Sequence, residues 1–69
     1  MYVDWDDRNV KVYDDNSNTV QRFINVPQLE VIQNAVCQGD KVIVTTDRNI
    51  YVYQKDNYYN FTLKNIRSR

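Results

Sequence analysis

The sequence predicts an all-β fold of two antiparallel repeats, and three observations lead to this prediction. Residues 39–53, GDKVIVTTDRNIYVY, hold two β-branched runs that meet at a short polar turn, the pattern of a β-hairpin. Residues 7–13, DRNVKVY, resemble residues 47–53, DRNIYVY, 40 positions later. Short apolar runs separated by Asn, Asp and Gly recur along the chain. We therefore expect two repeats of about 40 residues, each with three to four strands.

The strands follow from these patterns in chain order. In the first repeat, alternation of apolar and other residues over 10–13 predicts a strand, and a polar loop separates it from a second β-branched run. In the second repeat, strands are expected at 41–46, 50–54 and 58–63. The expected organisation is a single domain, 1–69, with repeat 1 at 1–26, repeat 2 at 27–66 and a short basic tail at 67–69.

The two polar turns are expected to be alike. A three-residue hairpin loop needs a left-handed residue, and Asn9 and Asn49 stand where that residue would fall. In the second hairpin this loop places Thr45 opposite Tyr51. We expect both faces of the second hairpin to be buried, so that it builds the core. The first hairpin is more polar and is expected to keep one face in water.

Residues 27–38 admit two interpretations. Apolar residues at helical spacing follow Pro27, and Gly39 stands where a helix C-terminal cap belongs. That interpretation gives an α+β fold, βββ-α-βββ. The same apolar residues can equally form extended segments that lead into the next hairpin. Periodicity does not separate the two for such short runs, so the α+β fold stays the alternative to the all-β prediction.

Length and composition favour association with another chain. A domain of 69 residues buries only about 60% of its unfolded surface, and such small domains are commonly stabilised by disulfides, metals or oligomerisation. Cys37 is the only cysteine and there is no His, so neither a disulfide within the chain nor a zinc site is expected. Self-association, or docking on a larger protein partner, is the remaining expectation.

Charge and hydropathy exclude two other classes of partner. The chain has nine basic and nine acidic residues, whereas a protein that grips phosphate backbones carries a basic excess. No nucleic acid partner is therefore expected. No apolar run is long enough for a membrane span, and the first residues lack the apolar core of a signal peptide. With a single unpaired cysteine, the expected location is cytoplasmic.

Residues 35–56, AVCQGDKVIVTTDRNIYVYQKD, resemble the core of a blade in the WD40-like and quinoprotein-like β-propeller families. In those families a strand leads to a Gly-Asp turn, a β-branched strand, a polar hairpin and a strand that ends in an aromatic residue. The Trp-Asp dipeptide of WD40 blades is replaced here by Tyr13-Asp14 and Tyr53-Gln54. The resemblance implies about 1.7 blades, so a closed ring would need several chains.

No enzyme, metal or cofactor is expected from the reactive side chains. Ser17, Ser68 and Cys37 have no His to act as a base, so no catalytic residue is assigned. Residues 14–18, DDNSN, open like a calcium-binding loop. The Gly and Glu that such a loop needs at its sixth and twelfth positions are Thr19 and Asn25 here.

The candidate binding residues are aromatic side chains with arginines at equivalent turns. They are Trp5, Arg8, Tyr13, Arg48, Tyr51 and Tyr53. Exposed aromatic rings beside guanidinium groups suit a sugar, a nucleobase or a protein partner, although the same rings can fill a second core face. The predicted function is a non-enzymatic protein-interaction or assembly module that acts as a homo-oligomer. The alternative is a carbohydrate- or nucleotide-binding protein with aromatic sites at subunit boundaries.

Overall fold

A computed structural model describes residues 1–27 and 29–69. The described residues form seven β-strands and no helix. The strands are β1 (Tyr2–Trp5), β2 (Asn9–Tyr13), β3 (Val20–Asn25), β4 (Ile32–Gln38), β5 (Lys41–Thr46), β6 (Asn49–Lys55) and β7 (Phe61–Ser68). The all-β fold class is confirmed, and the helix of the α+β alternative is not formed.

Residues 32–38 form strand β4 although the apolar residues of this segment also fit the spacing of a helix. Ala35 is buried opposite Val44, whereas the next residue, Val36, is 48% exposed. Successive side chains therefore point to opposite sides of a sheet, as in any strand. Gly39 still ends the element with a positive φ of 61°, but it does so in the turn between β4 and β5.

The strands form two antiparallel sheets in simple chain order. The first sheet has the order β1-β2-β3 and the second has the order β4-β5-β6-β7. The sheets approach each other most closely where β1 lies beside β4. Strand β7 runs on through Arg67 and Ser68, so only Arg69 of the predicted basic tail lies beyond it.

The predicted three-residue hairpin loops are wrong by one residue. Tyr51 lies opposite Val44 rather than Thr45, and the first hairpin has the equivalent register, with Trp5 opposite Val10. Each turn therefore has two central residues, and the preceding residue pairs with the following Asn. Because side chains alternate along a strand, the one-residue shift puts the predicted cross-strand neighbours on opposite faces of the sheet.

The residue before each turn removes the need for a left-handed Asn. In the first turn, Asp6 Oδ1 accepts hydrogen bonds from the backbone N–H groups of Arg8 (2.9 Å) and Asn9 (2.8 Å). Thr46 Oγ1 does the same for Arg48 (3.2 Å) and Asn49 (2.9 Å). Asn9 and Asn49 lie in β2 and β6, and neither has positive φ. Such side-chain turns are a known alternative to a left-handed loop.

The hydrophobic core lies between the two sheets. Val10 and Val12 of β2 are fully buried, as are Val42 and Val44 of β5. The prediction that the second hairpin builds the core must therefore be extended to both hairpins. Burying each of these valines stabilises the fold by about 1.5–3 kcal/mol before the entropy of folding is counted.

The outer face of the second sheet is not buried, contrary to expectation. Ile43 pairs with Val52 and Thr45 pairs with Ile50 on this face, and all four side chains are only partly buried. No described strand packs over them, so what shielding they have comes from their neighbours within the sheet.

Candidate functional site

Both repeated turns meet the segment that joins the two sheets. The Ile32 amide donates to the carbonyl of Asp7 in the first turn (2.9 Å). Asp47, in the second turn, donates its amide to the Val31 carbonyl (3.0 Å) and accepts the Val31 amide at Oδ1 (3.0 Å). The repeated sequence thus places two equivalent turns on either side of one short segment.

A buried polar cluster lies at this junction. The Glu30 side chain is only 6% exposed, and it accepts hydrogen bonds from Thr46 Oγ1 (2.7 Å) and Asn49 Nδ2 (2.9 Å) at Oε1. The hydroxyl of Tyr51, a residue only 5% exposed, donates to Oε2 of the same carboxylate. Three donors on the second hairpin therefore satisfy the carboxylate of Glu30, which belongs to the segment that joins the two sheets.

The hydrogen bonds set the ionisation of this cluster. The bond from Tyr51 is the main reason that the pKa of Glu30 lies below its usual range, with further lowering from Thr46 and Asn49. Burial and the bond to Glu30 raise the pKa of Tyr51. The cluster thus holds a carboxylate beside a neutral phenol. A catalytic acid needs a raised carboxyl pKa, so this arrangement favours a structural role for Glu30.

The predicted binding residues are divided among separate places. Tyr51 and Tyr53 face the core side of the second sheet, and their rings stack with centroids 6.4 Å apart. Tyr13 stacks instead on Tyr2, with centroids 4.8 Å apart and planes nearly parallel. Trp5 is 40% exposed on the edge strand β1. The six residues do not form one continuous aromatic surface.

Arg8 and Arg48 lie in the equivalent turns, and both are exposed. In addition to the hydrogen bonds from Tyr51, Thr46 and Asn49, the positive charge of Arg48 lowers the pKa of the Glu30 carboxyl. A binding role for the predicted residues stays a prediction.

A groove of about 340 Å³ separates the two sheets on the side away from β1 and β4. We call it the β3–β7 groove. Its lining includes Arg22, Ile24, Asn25, Tyr53, Asn60 and Phe61. Of these, only Tyr53 is among the predicted site residues, and burial raises the pKa of its phenol, with a smaller effect from the charge of Glu30.

Arg22 bridges this groove. Its Nε donates to the Tyr59 carbonyl (2.9 Å), and its Nη2 donates to Asn60 Oδ1 (2.5 Å).

Tyr59 has a positive φ of 60° in the loop before β7, a conformation that is rare for a residue with a side chain. In the same loop, Asp56 Oδ1 accepts the amides of Tyr58 (2.7 Å) and Asn60 (2.9 Å). These bonds lower the pKa of Asp56.

Glu30 and Arg22 are not among the candidate residues predicted from the sequence. Glu30 is the only glutamate in the chain and interrupts an apolar run, which is the signal that points to a buried carboxylate. Arg22 carries no such local signal, since its partners lie 37 and 38 positions away in sequence.

The edge strand β7 is apolar on the side that faces inward. Leu63 lies opposite Tyr53 and Ile66 lies opposite Tyr51, so all four share the inner face of the second sheet. Leu63 and Ile66 are nevertheless 41% and 53% exposed. Phe61, at the start of β7, packs against the core, so the uncovered part of this side lies around Leu63 and Ile66.

Within residues 1–27 and 29–69, no group of three or more His, Cys, Asp or Glu side chains is placed to hold a metal ion. In the same residues, no helix is long and apolar enough to cross a membrane. Comparison of the chain with protein-family models, curated proteins and solved structures finds no match.

Proposed function

We propose that the chain is a non-enzymatic assembly module that acts as a homo-oligomer. The observation that supports this is the uncovered inner side of β7, where Leu63 and Ile66 are 41% and 53% exposed. Strand β7 is also an eight-residue edge strand with a free side. Exposed edges of this kind tend to pair with another chain, which would bury the apolar stripe.

Charge indicates which surface of a second copy covers β7. Strand β7 carries Lys64 and Arg67 and contains no acidic residue. The exposed residues Asp4, Asp6 and Asp7 lie in β1 and the turn that follows it. Like charges oppose pairing of β7 with β7 of another copy, whereas the acidic hairpin of a second copy attracts it.

Such a contact joins two different surfaces of the same chain, so it is heterologous and builds either a ring or a filament. The resemblance to propeller blades favours a ring, because β4 to β7 form a four-stranded antiparallel meander, the unit from which blades are built. A ring also covers free strand edges. The proposal includes a cytoplasmic location, which the unpaired Cys37 supports.

Sedimentation equilibrium at micromolar concentration tests this function. We expect a mass that is a multiple of the 8.3 kDa chain. The double variant Leu63→Thr/Ile66→Thr should shift the protein towards the single-chain mass, because it removes the apolar stripe. Raising the salt to about 1 M, where the Debye length is about 3 Å, should weaken the association.

Val36→Thr is the matched control, because Val36 is a β-branched strand residue 48% exposed on the outer face of β4. It should leave the mass unchanged. A strict monomer for the unmodified chain would contradict the proposed function. Dissociation by Val36→Thr but not by the β7 variant would place the interface on the outer face instead.

A further inference from the structure

The β3–β7 groove combines a charge with an aromatic surface. By register, Arg22 lies opposite Val12, so it points to the inner side of the first sheet. Tyr53 and Phe61 lie on the inner side of the second sheet, and Phe61 packs against the core. One wall therefore offers a guanidinium group, and the facing wall offers two aromatic rings.

Arg22 has no carboxylate partner within the described residues. The ion pairs there are Met1–Asp15 and Lys55–Asp40, and the bonds that Arg22 makes go to a neutral carbonyl and a neutral amide. Those two bonds use two of its five N–H donors. The rest of the groove lining is neutral, with Asn25 and Asn60 as the polar groups. The groove thus presents one uncompensated positive charge, which selects for an anion.

The volume limits the size of the ligand. Small-molecule sites usually measure about 300–1,000 Å³, and this groove lies at the lower end of that range. Guanidinium groups hold phosphate oxygens through charge-assisted hydrogen bonds, and aromatic side chains stack on nucleobases. A neutral sugar would leave the charge of Arg22 unused.

We propose that the β3–β7 groove binds a nucleoside monophosphate. The phosphate lies beside Arg22, and the base lies against Tyr53 and Phe61. The side-chain amide of Asn60, which lies beside Arg22 in the groove, is able to hydrogen-bond to the ribose or the base. This inference does not depend on the proposed oligomer, because every residue of the site comes from one chain.

Isothermal titration calorimetry with three probes tests the inference. Adenosine monophosphate should bind at least about tenfold more tightly than either adenosine, which lacks the anion, or inorganic phosphate, which lacks the ring. Arg22→Gln should weaken binding of the nucleotide by about tenfold or more and leave adenosine nearly unchanged. Tyr53→Leu should weaken binding of both the nucleotide and the nucleoside.

Lys41→Gln is the control, because Lys41 is an exposed cation that does not line the groove. It should bind the nucleotide like the unmodified chain. Far-ultraviolet circular dichroism shows whether each variant is folded, and Arg22→Lys, which keeps the charge, should retain part of the affinity. No preference for the nucleotide over its two fragments, or equal binding by folded Arg22→Gln, would overturn the inference.

Discussion

The two hairpins that carry the repeated sequence have the same turn and the same register, yet they bury opposite faces. In β2, Val10 and Val12 are fully buried and Lys11 between them is only partly buried. In β6, the equivalent Ile50 and Val52 are the partly exposed residues, and Tyr51 between them is 5% exposed. A local repeat in sequence therefore produces a local repeat in backbone pairing but not in packing.

The preceding strand of each hairpin accounts for this difference. In β5 the buried positions are Val42, Val44 and Thr46, all on the face of Tyr51. The equivalent positions in the first hairpin are Tyr2, Asp4 and Asp6, which are exposed. Removing the charges of Asp4, Asp6 and Lys11 from water would cost several kcal/mol even though Asp4 lies opposite Lys11, so the first hairpin turns its other face inward. Residues outside the most similar segment decide which face is buried.

Alanine substitution at equivalent valines should show the largest difference between the hairpins. Val12→Ala is expected to lower the free energy of unfolding by about 2 kcal/mol, because it leaves a cavity in a fully buried site. Val52→Ala should lower it by less than about 1 kcal/mol, since that side chain faces outward. Urea unfolding followed by circular dichroism measures both, and equal losses would contradict the opposite packing.

Removing the side chain that holds each turn should also distinguish the two hairpins. Thr46→Val takes a donor from the buried Glu30 and an acceptor from two backbone amides, so we expect a loss of about 1–3 kcal/mol. Asp6→Ala removes the equivalent acceptor in the first turn, where Asp6 is exposed and water can replace it. Its loss should therefore be smaller. Thermal unfolding compares the two, and a larger loss for Asp6→Ala would argue against the buried cluster.

The decrease in the free energy of unfolding at acid pH should depend on Tyr51. Because the pKa of Glu30 is lowered in the fold, its contribution to stability is present above the usual carboxyl pKa. That contribution is lost as the pH falls through the lower value. Tyr51→Phe removes the main cause of the lowering, so the acid loss should be smaller, and the decrease flatter, than in the unmodified chain. Urea midpoints from roughly pH 2 to 7 test this. Tyr53→Phe is the control, because Tyr53 makes no bond to Glu30, and an identical flattening in both variants would contradict the assignment.

The smallest expected effect lies at alkaline pH. The pKa of Tyr51 is raised by burial, so its contribution to stability is present below the usual tyrosine pKa. It is lost as the pH rises through the higher value. Tyr51→Phe should flatten this alkaline loss relative to the unmodified chain. Unfolding midpoints measured above the usual tyrosine range check the sign, and a steeper loss in the variant would contradict it.

Much of the strand pattern could be predicted from sequence, because alternation and turn residues act over a few neighbours. The predicted turns are one residue too long. Asn9 and Asn49 suit a left-handed position in a three-residue loop, but the side chains of Asp6 and Thr46 stabilise a shorter turn. The two kinds of turn look alike in sequence, since Asp, Thr and Asn are common in both. For 32–38, a short apolar run fits helix and strand equally, and packing against β5 selected the strand.

The sequence by itself determined that both hairpins are β-structure, where their two repeated turns lie, and that no disulfide forms within the chain. These depend on local preferences and on composition. Only the tertiary structure decided which face of each hairpin is buried, that the second hairpin binds the buried Glu30 carboxylate, and that Arg22 faces Tyr53 and Phe61 across a groove. Such contacts connect residues far apart in the chain, and their energies depend on which sheets pack together rather than on any neighbouring residue.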